Sequence, residues 1–180
     1  MKKDILEKVE IPQGIGVEID HDFITIKFED KEIKKRFNHE GISLEKKGEE
    51  FVLESKKATK REAKVIGTIK SHLKNMIQGV QEGFEYKLAL EYVHFPFTIE
   101  ISGNDVIVKN FLGEKKPRKG KLIPGVEVII EKNEITVKSH DKEIAGQMAA
   151  NLEKMTFVKE RDRRKFQDGI YITEKCGRAI

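Results

Sequence analysis

The chain carries one pattern twice, and that repetition narrows the folds open to it more than any other feature. Val17-Glu18-Ile19, four residues, then Ile24-Thr25-Ile26-Lys27 returns as Ile99-Glu100-Ile101, four residues, then Val106-Ile107-Val108-Lys109. Val65-Ile66-Gly67 with Leu73 and Met76 returns as Ile144-Ala145-Gly146 with Leu152 and Met155. Gln81-Glu82-Gly83-Phe84-Glu85-Tyr86 is echoed by Gln167-Asp168-Gly169-Ile170-Tyr171. Three matches in one order, at offsets of 82, 79 and 86, argue for an internal duplication. Two copies make two modules and not a solenoid, which needs at least three stacked repeats. The expected division is residues 1–93 and 94–180, with His94-Phe95-Pro96 as the hinge.

Within each copy the apolar spacing predicts strands followed by one helix. Val9 to Ile19 and Phe23 to Phe28 alternate at period two around an Asp20-His21-Asp22 turn, and Ile33 to Phe37 follows as a further strand. A hairpin turns at Lys47-Gly48-Glu49. Thr59 and Glu62 form a capping box, ahead of Ile66, Ile69, Leu73, Met76 and Val80 at helical spacing. Phe84 to Val93 is extended. The second copy repeats the plan: strands near 97–101 and 105–110, a Pro124-Gly125 turn, a hairpin turning at Lys132-Asn133, and Ser139 as N-cap of a helix carrying Ile144, Met148 and Leu152. A last strand spans Gly169 to Thr173. The expected fold class is α+β: two tandem duplicated domains, each an antiparallel β-sheet packed with one α-helix. Gly67 and Gly146 stand at matching helix positions, and a helical glycine costs about 0.8–1 kcal/mol against alanine. Close approach of helix to sheet is the expected compensation at both.

Charge breaks the symmetry. Residues 1–97 hold 18 Lys+Arg against 18 Asp+Glu, while residues 98–180 hold 17 against 13 and so carry the entire net charge of +4. Such asymmetry points to a polyanionic partner for the basic half. Two segments concentrate it. The first, a loop over 109–121, holds Lys109, Asn110, Phe111, Lys115, Lys116, Arg118, Lys119 and Lys121 against the single acid Glu114. Its lysines and arginine reach for phosphates, and Phe111 is placed to pack or to stack on a base. The second offers Lys159, Arg161, Arg163, Arg164 and Lys165, whose guanidinium forks suit phosphate oxygens. Glu160 and Asp162 leave open a plainer reading, an internally paired surface.

Chemistry of other kinds finds little purchase. His21, His39, His72, His94 and His140 are scattered, and Cys176 is the only cysteine, so neither a metal site nor an internal disulfide is expected. Gly14-Ile15-Gly16 lacks the third glycine and the helix of a dinucleotide fingerprint, and Gly-Lys-Ser/Thr does not occur. No apolar run approaches the roughly 18 residues of a membrane span. No enzyme, cofactor, small-molecule substrate or membrane partner is expected.

Arg161-x-x-Arg164-x-Phe166-x-Asp168-Gly169-Ile170-Tyr171-Ile172-x-x-Lys175 resembles the C-terminal signature of the large-subunit ribosomal protein L6 family, in its archaeal and eukaryotic branch. Asn110-Phe111-Leu112-Gly113-Glu114-Lys115 is similar to that family's basic loop, and the resemblance spans the whole chain. It implies a cytoplasmic ribosomal constituent whose second domain binds large-subunit rRNA. The implied position is the stalk base, near the sarcin–ricin loop and the elongation-factor site, among neighbouring ribosomal proteins. A non-ribosomal RNA-binding module or a protein-interaction scaffold is the alternative.

Overall fold

The computed structural model describes residues 3–180, which divide between Gly83 and Phe84 into two compact units. Unit one runs β1 (Lys3–Glu10), β2 (Gly16–Asp20), β3 (Phe23–Phe28), β4 (Lys31–Arg36), β5 (Ser43–Lys47), β6 (Glu50–Ala58) and α1 (Lys60–Gln81). Its strands form two antiparallel three-stranded sheets, ordered β1-β6-β5 and β2-β3-β4. The extended stretch expected over Val9 to Ile19 is therefore broken. Pro12 has no N–H to donate and Gly14 turns at φ +88°, so the chain leaves one sheet and enters the other. Ile24 and Ile26 of β3, Phe51 and Leu53 of β6, and Ile66, Ile69, Leu73 and Val80 of α1 fill the core between them. The capping box forms as expected: Arg61 N donates to Thr59 Oγ1 at 3.2 Å, and Thr59 N donates to Glu62 Oε2 at 2.8 Å.

Unit two runs β7 (Phe84–Glu91), β8 (Thr98–Ser102), β9 (Asp105–Lys109), β10 (Arg118–Lys121), β11 (Glu127–Glu131), β12 (Glu134–Ser139), α2 (Lys142–Met155), β13 (Gly169–Lys175) and β14 (Arg178–Ala179). A five-stranded sheet, β11-β12-β7-β13-β14, and a three-stranded one, β10-β9-β8, share a core of Leu88, Val106, Phe111, Ile135, Val137, Met148 and Leu152. Duplication and the α+β class hold, but each copy has two sheets where one was expected.

The division falls at Gly83/Phe84, ten residues before the expected boundary. β7 follows α1 in sequence as β13 follows α2, yet its hydrogen bonds run to β12 and β13. Pairing outranks chain order, and β7 becomes the central strand of the second unit. With this boundary unit two carries 18 basic against 15 acidic residues and unit one 17 against 16. The asymmetry survives in reduced form.

Two local expectations need correction. The N-cap of α2 is Asp141, which accepts from Glu143 N at 2.8 Å. Ser139 is still paired with Phe84 in the β-ladder and donates from its hydroxyl to Gly125 O at 2.7 Å, so it ends the strand instead. The matching glycines also differ. A Cβ on Gly146 would lie 3.1 Å from Tyr86 Oη, so α2 does ride close on β7. A Cβ on Gly67 would meet nothing within 4 Å. Gly67→Ala should therefore raise stability by about 0.5–1 kcal/mol in denaturant unfolding. Gly146→Ala should gain less or lose, because Tyr86 must yield; an equal gain at both would contradict the close approach.

Candidate nucleic-acid interface

The first basic segment is only half a loop. After β9 the chain turns through Asn110 (φ 63°) and Leu112 (φ 50°) around a short 3-10 turn, Phe111–Gly113, and re-enters the sheet as β10. β10 pairs with β9, Arg118 opposite Val108 and Lys121 opposite Asp105. Strand alternation then sorts the side chains: Lys119 and Lys121 face solvent, while Arg118 and Gly120 turn inward. Gly120 leaves room for the Met155 side chain, whose Sδ would stand 2.5 Å from any added Cβ. Lys115 and Lys116 are exposed on the connecting loop. Lys109 is paired with Glu100 at 2.6 Å, and Asn110 donates from Nδ2 to Pro96 O at 2.9 Å. An exposed pair of this kind is worth about 0–1 kcal/mol, so Lys109 can exchange its carboxylate for a phosphate.

Phe111 and Arg118 have internal duties. Phe111 is 1% exposed and packs edge-on to Phe97, with ring centroids 5.4 Å apart. It belongs to the core and offers no face to a base, so of the two roles open to it, packing or stacking, it takes packing. The Arg118 guanidinium lies 4.4 Å over the Phe111 ring. It donates from Nε and Nη2 to Glu114, at 2.8 and 2.5 Å, and from Nη1 to the carbonyls of Met155 and Phe157, at 2.9 and 3.0 Å. Those carbonyls are left over where α2 ends. Arg118 thus ties β10 to the end of α2.

The second segment begins just beyond. Lys159 to Lys165 are all exposed. Asp162 organises the turn, accepting Arg164 N at 3.0 Å on its side chain and Lys165 N and Phe166 N at 3.0 Å on its carbonyl. The Arg164 guanidinium returns to the same carboxylate through Nε and Nη2, which holds Asp162 below the ordinary aspartate range. That pairing matches the plainer reading for Arg164 alone. Arg161 lies 4.9 Å over Phe166 and Arg163 4.9 Å over Phe157. A guanidinium stacked on a ring keeps its N–H groups in its own plane, available at the edge.

The two segments meet. The Glu114 carboxyl is held below its ordinary value first by its hydrogen bond to Arg118, with Arg161 and Lys159 adding to the effect. Arg161 and Lys159 of the second segment therefore lie near Glu114 and Arg118 of the first.

Asp168 anchors this neighbourhood, and the sequence reading gave it no role. It is 1% exposed and accepts from Val93 N at 3.1 Å, His94 N at 3.2 Å and Phe95 N at 3.4 Å. His94 Nδ1 also meets it at 3.0 Å, as donor, since a carboxylate only accepts. Burial pushes the Asp168 carboxyl up, but the imidazole and the three backbone N–H groups outweigh it and hold the value below the ordinary range. The expected hinge at 94–96 is thus a fixed loop inside unit two. Its His94 ring stacks on Phe166 at 4.9 Å, and its Phe95 ring packs beside Gly113. The corresponding acid of copy one, Glu82, is exposed, so no pattern in the sequence marks Asp168 as buried.

Unit one pairs several of its cations with carboxylates. Its β3–β4 hairpin pairs Arg36 with Asp22 at 3.1 Å and lays Lys34 over Phe23, while Lys27 of β3 pairs with Glu18 at 3.0 Å. Elsewhere, Tyr86 is pushed up to about 12 by burial and a hydrogen bond to Cys176. Among the described residues no three His, Cys, Asp or Glu side chains gather to hold a metal. Also among them, no helix is long and apolar enough to cross a membrane.

The arrangement is that of a duplicated α+β protein whose second module carries two basic segments, with Arg118, Arg161 and Arg163 each over an aromatic ring. Comparison with known proteins agrees. The family model of ribosomal protein L6 matches residues 11–83 and 95–169, one match in each copy. The large ribosomal subunit protein uL6 of Methanococcus vannielii is 45% identical over 176 residues, covering 98% of this chain and 97% of its own. The same-named protein of Methanosarcina mazei is 42% identical over 176 residues, covering 98% and 100%. The chain belongs to the ribosomal protein L6 family, in its archaeal branch. Proteins of this family are structural components and not enzymes.

The buried carboxylate sets a pH test. A depressed folded-state value stabilises the fold above the unfolded aspartate range, near pH 3.9, and that contribution drains away as pH falls through the folded value. Asp168→Asn should lower the unfolding free energy by about 1–3 kcal/mol at pH 7. The gap from the unsubstituted protein should close toward pH 3 in urea titrations.

Proposed function

We propose that the chain is a structural constituent of the large ribosomal subunit that binds large-subunit rRNA through unit two. Its relatives are large ribosomal subunit proteins, its C-terminal segment carries the family signature, and above all Arg161 and Lys159 of the second basic segment lie near Glu114 and Arg118 of the first. Folded RNA is recognised chiefly through shape, phosphates and 2′-hydroxyls. Lys109, Asn110, Lys115, Lys116, Lys119 and Lys121 contact phosphate and sugar from one side, and Lys159, Arg161, Arg163, Arg164 and Lys165 from the other. Arg118 positions both segments. Phe111 supports Arg118 from the core.

The position at the stalk base, near the sarcin–ricin loop and the site where elongation factors dock, follows from the family resemblance. So do neighbouring ribosomal proteins as partners and residence on cytoplasmic ribosomes. Unit one, nearly neutral and internally paired, serves as the scaffold.

Four phosphate contacts make affinity fall by about 10²-fold between 50 and 200 mM salt. Replacing Arg161, Arg163, Arg164 and Lys165 together with Ala should flatten that slope and weaken binding to large-subunit rRNA, as read in filter-binding titrations. The triple change Lys34→Ala, Lys35→Ala and Arg36→Ala in unit one should cost much less. Equal losses would refute the division of labour, and failure to cosediment with large subunits at high salt would refute ribosomal residence.

A further inference from the structure

Where α2 ends and β13 begins, an open pocket of about 360 Å³ is lined by Glu153, Lys154, Phe157, Arg163, Gly169 and Tyr171, among others. Its size falls in the range of small-ligand sites, roughly 300–1,000 Å³. Two of its lining rings are open to solvent, Phe157 at 48% exposed and Tyr171 at 36%.

Both rings are held in place. Tyr171 lies across Gly169, where an added Cβ would stand 3.3 Å from the ring. Its hydroxyl donates to Gln167 O at 2.9 Å. One face is thus seated on backbone that only glycine leaves bare, and the ring cannot swing away. On the opposite wall, the Arg163 guanidinium lies 4.9 Å over Phe157. Lys154 adds a second cation, and the basic run of 159–165 continues from Arg163. Glu153 is the only acid lining the pocket.

We infer that this pocket receives one unstacked base of the bound rRNA, an inference that rests on the proposed rRNA-binding role. Stacking on an aromatic side chain is how proteins hold splayed-out single-stranded bases. Tyr171 supplies the platform, and Arg163 and Lys154 meet the flanking phosphates. The Glu153 carboxylate accepts from an exocyclic amine, which favours adenine, cytosine or guanine over uracil. The phosphate contacts position the RNA, and the pocket adds a base-specific contact that charge alone does not provide.

The full-length protein bound to large-subunit rRNA provides the test, with dimethyl sulfate and 2′-hydroxyl acylation probing at single-nucleotide resolution. Tyr171→Ala should restore free-RNA reactivity at one nucleotide while leaving the rest of the footprint. It should weaken binding roughly 10-fold or more. The salt slope should not change, because stacking releases no counterions. Tyr171→Phe, which keeps the ring, should retain most of the affinity. Unchanged affinity and reactivity in Tyr171→Ala would overturn the base pocket while leaving rRNA binding intact. Uniform loss of the whole footprint would overturn it too, by making Tyr171 a folding residue. If the unsubstituted protein gives no footprint, the rRNA reading itself fails, and this inference with it.

Discussion

A single buried carboxylate organises the second unit. Asp168 has lost its water, and a charge in that position is tolerated only where hydrogen bonds replace the hydration shell. Three successive backbone N–H groups and one imidazole make the replacement, and in doing so they fix the path of residues 93–95. From that fixed loop the order spreads outward. His94 seats Phe166, Phe166 supports Arg161, and the carbonyl of Pro96 holds Asn110. Side chains seated on such an anchor are ordered in advance, and ordering long side chains at the moment of binding costs affinity.

The same logic governs the arginines. Arg118, Arg161 and Arg163 each lie over an aromatic ring, so the rings act as supports and not as ligands. Arg118 goes further and spends its donors on Glu114 and on two carbonyls where α2 ends. It ties β10 to the end of α2, just ahead of the second basic segment. Lys115, Lys116, Lys119 and Lys121, by contrast, are exposed and, among the described residues, lie over no ring. A planar guanidinium keeps its geometry when stacked and an ammonium does not, which is why the positioning falls to arginine.

Much of the fold was legible because periodicity reports which face of an element is buried. The period-two runs at Phe23–Phe28 and Asp105–Lys109, the capping box at Thr59 and Glu62, and the hairpin turn at Lys132-Asn133 all stand where local pattern places them. What failed were inferences that needed a partner's position. Phe111 in a basic loop reads as free either to pack or to stack until Phe97 and Arg118 close over it. Ser139 reads as an N-cap until its strand runs one residue further and Asp141 takes the place. Gly67 and Gly146 match in sequence, yet only Gly146 has a tyrosine above it.

The sequence alone determined that two related α+β modules stand in tandem, which one carries the excess positive charge, and which two segments concentrate it. Those properties are local or additive: side-chain spacing sets amphipathic elements, and charges simply sum. Only the tertiary structure decided that β7 belongs to the second module, that Arg161 and Lys159 lie near Glu114, and that Tyr171, Phe157 and Arg163 line one pocket. Those depend on hydrogen bonds and contacts between residues far apart in the chain, such as Asp168 with Val93. No periodicity within one segment encodes which distant segment it will meet.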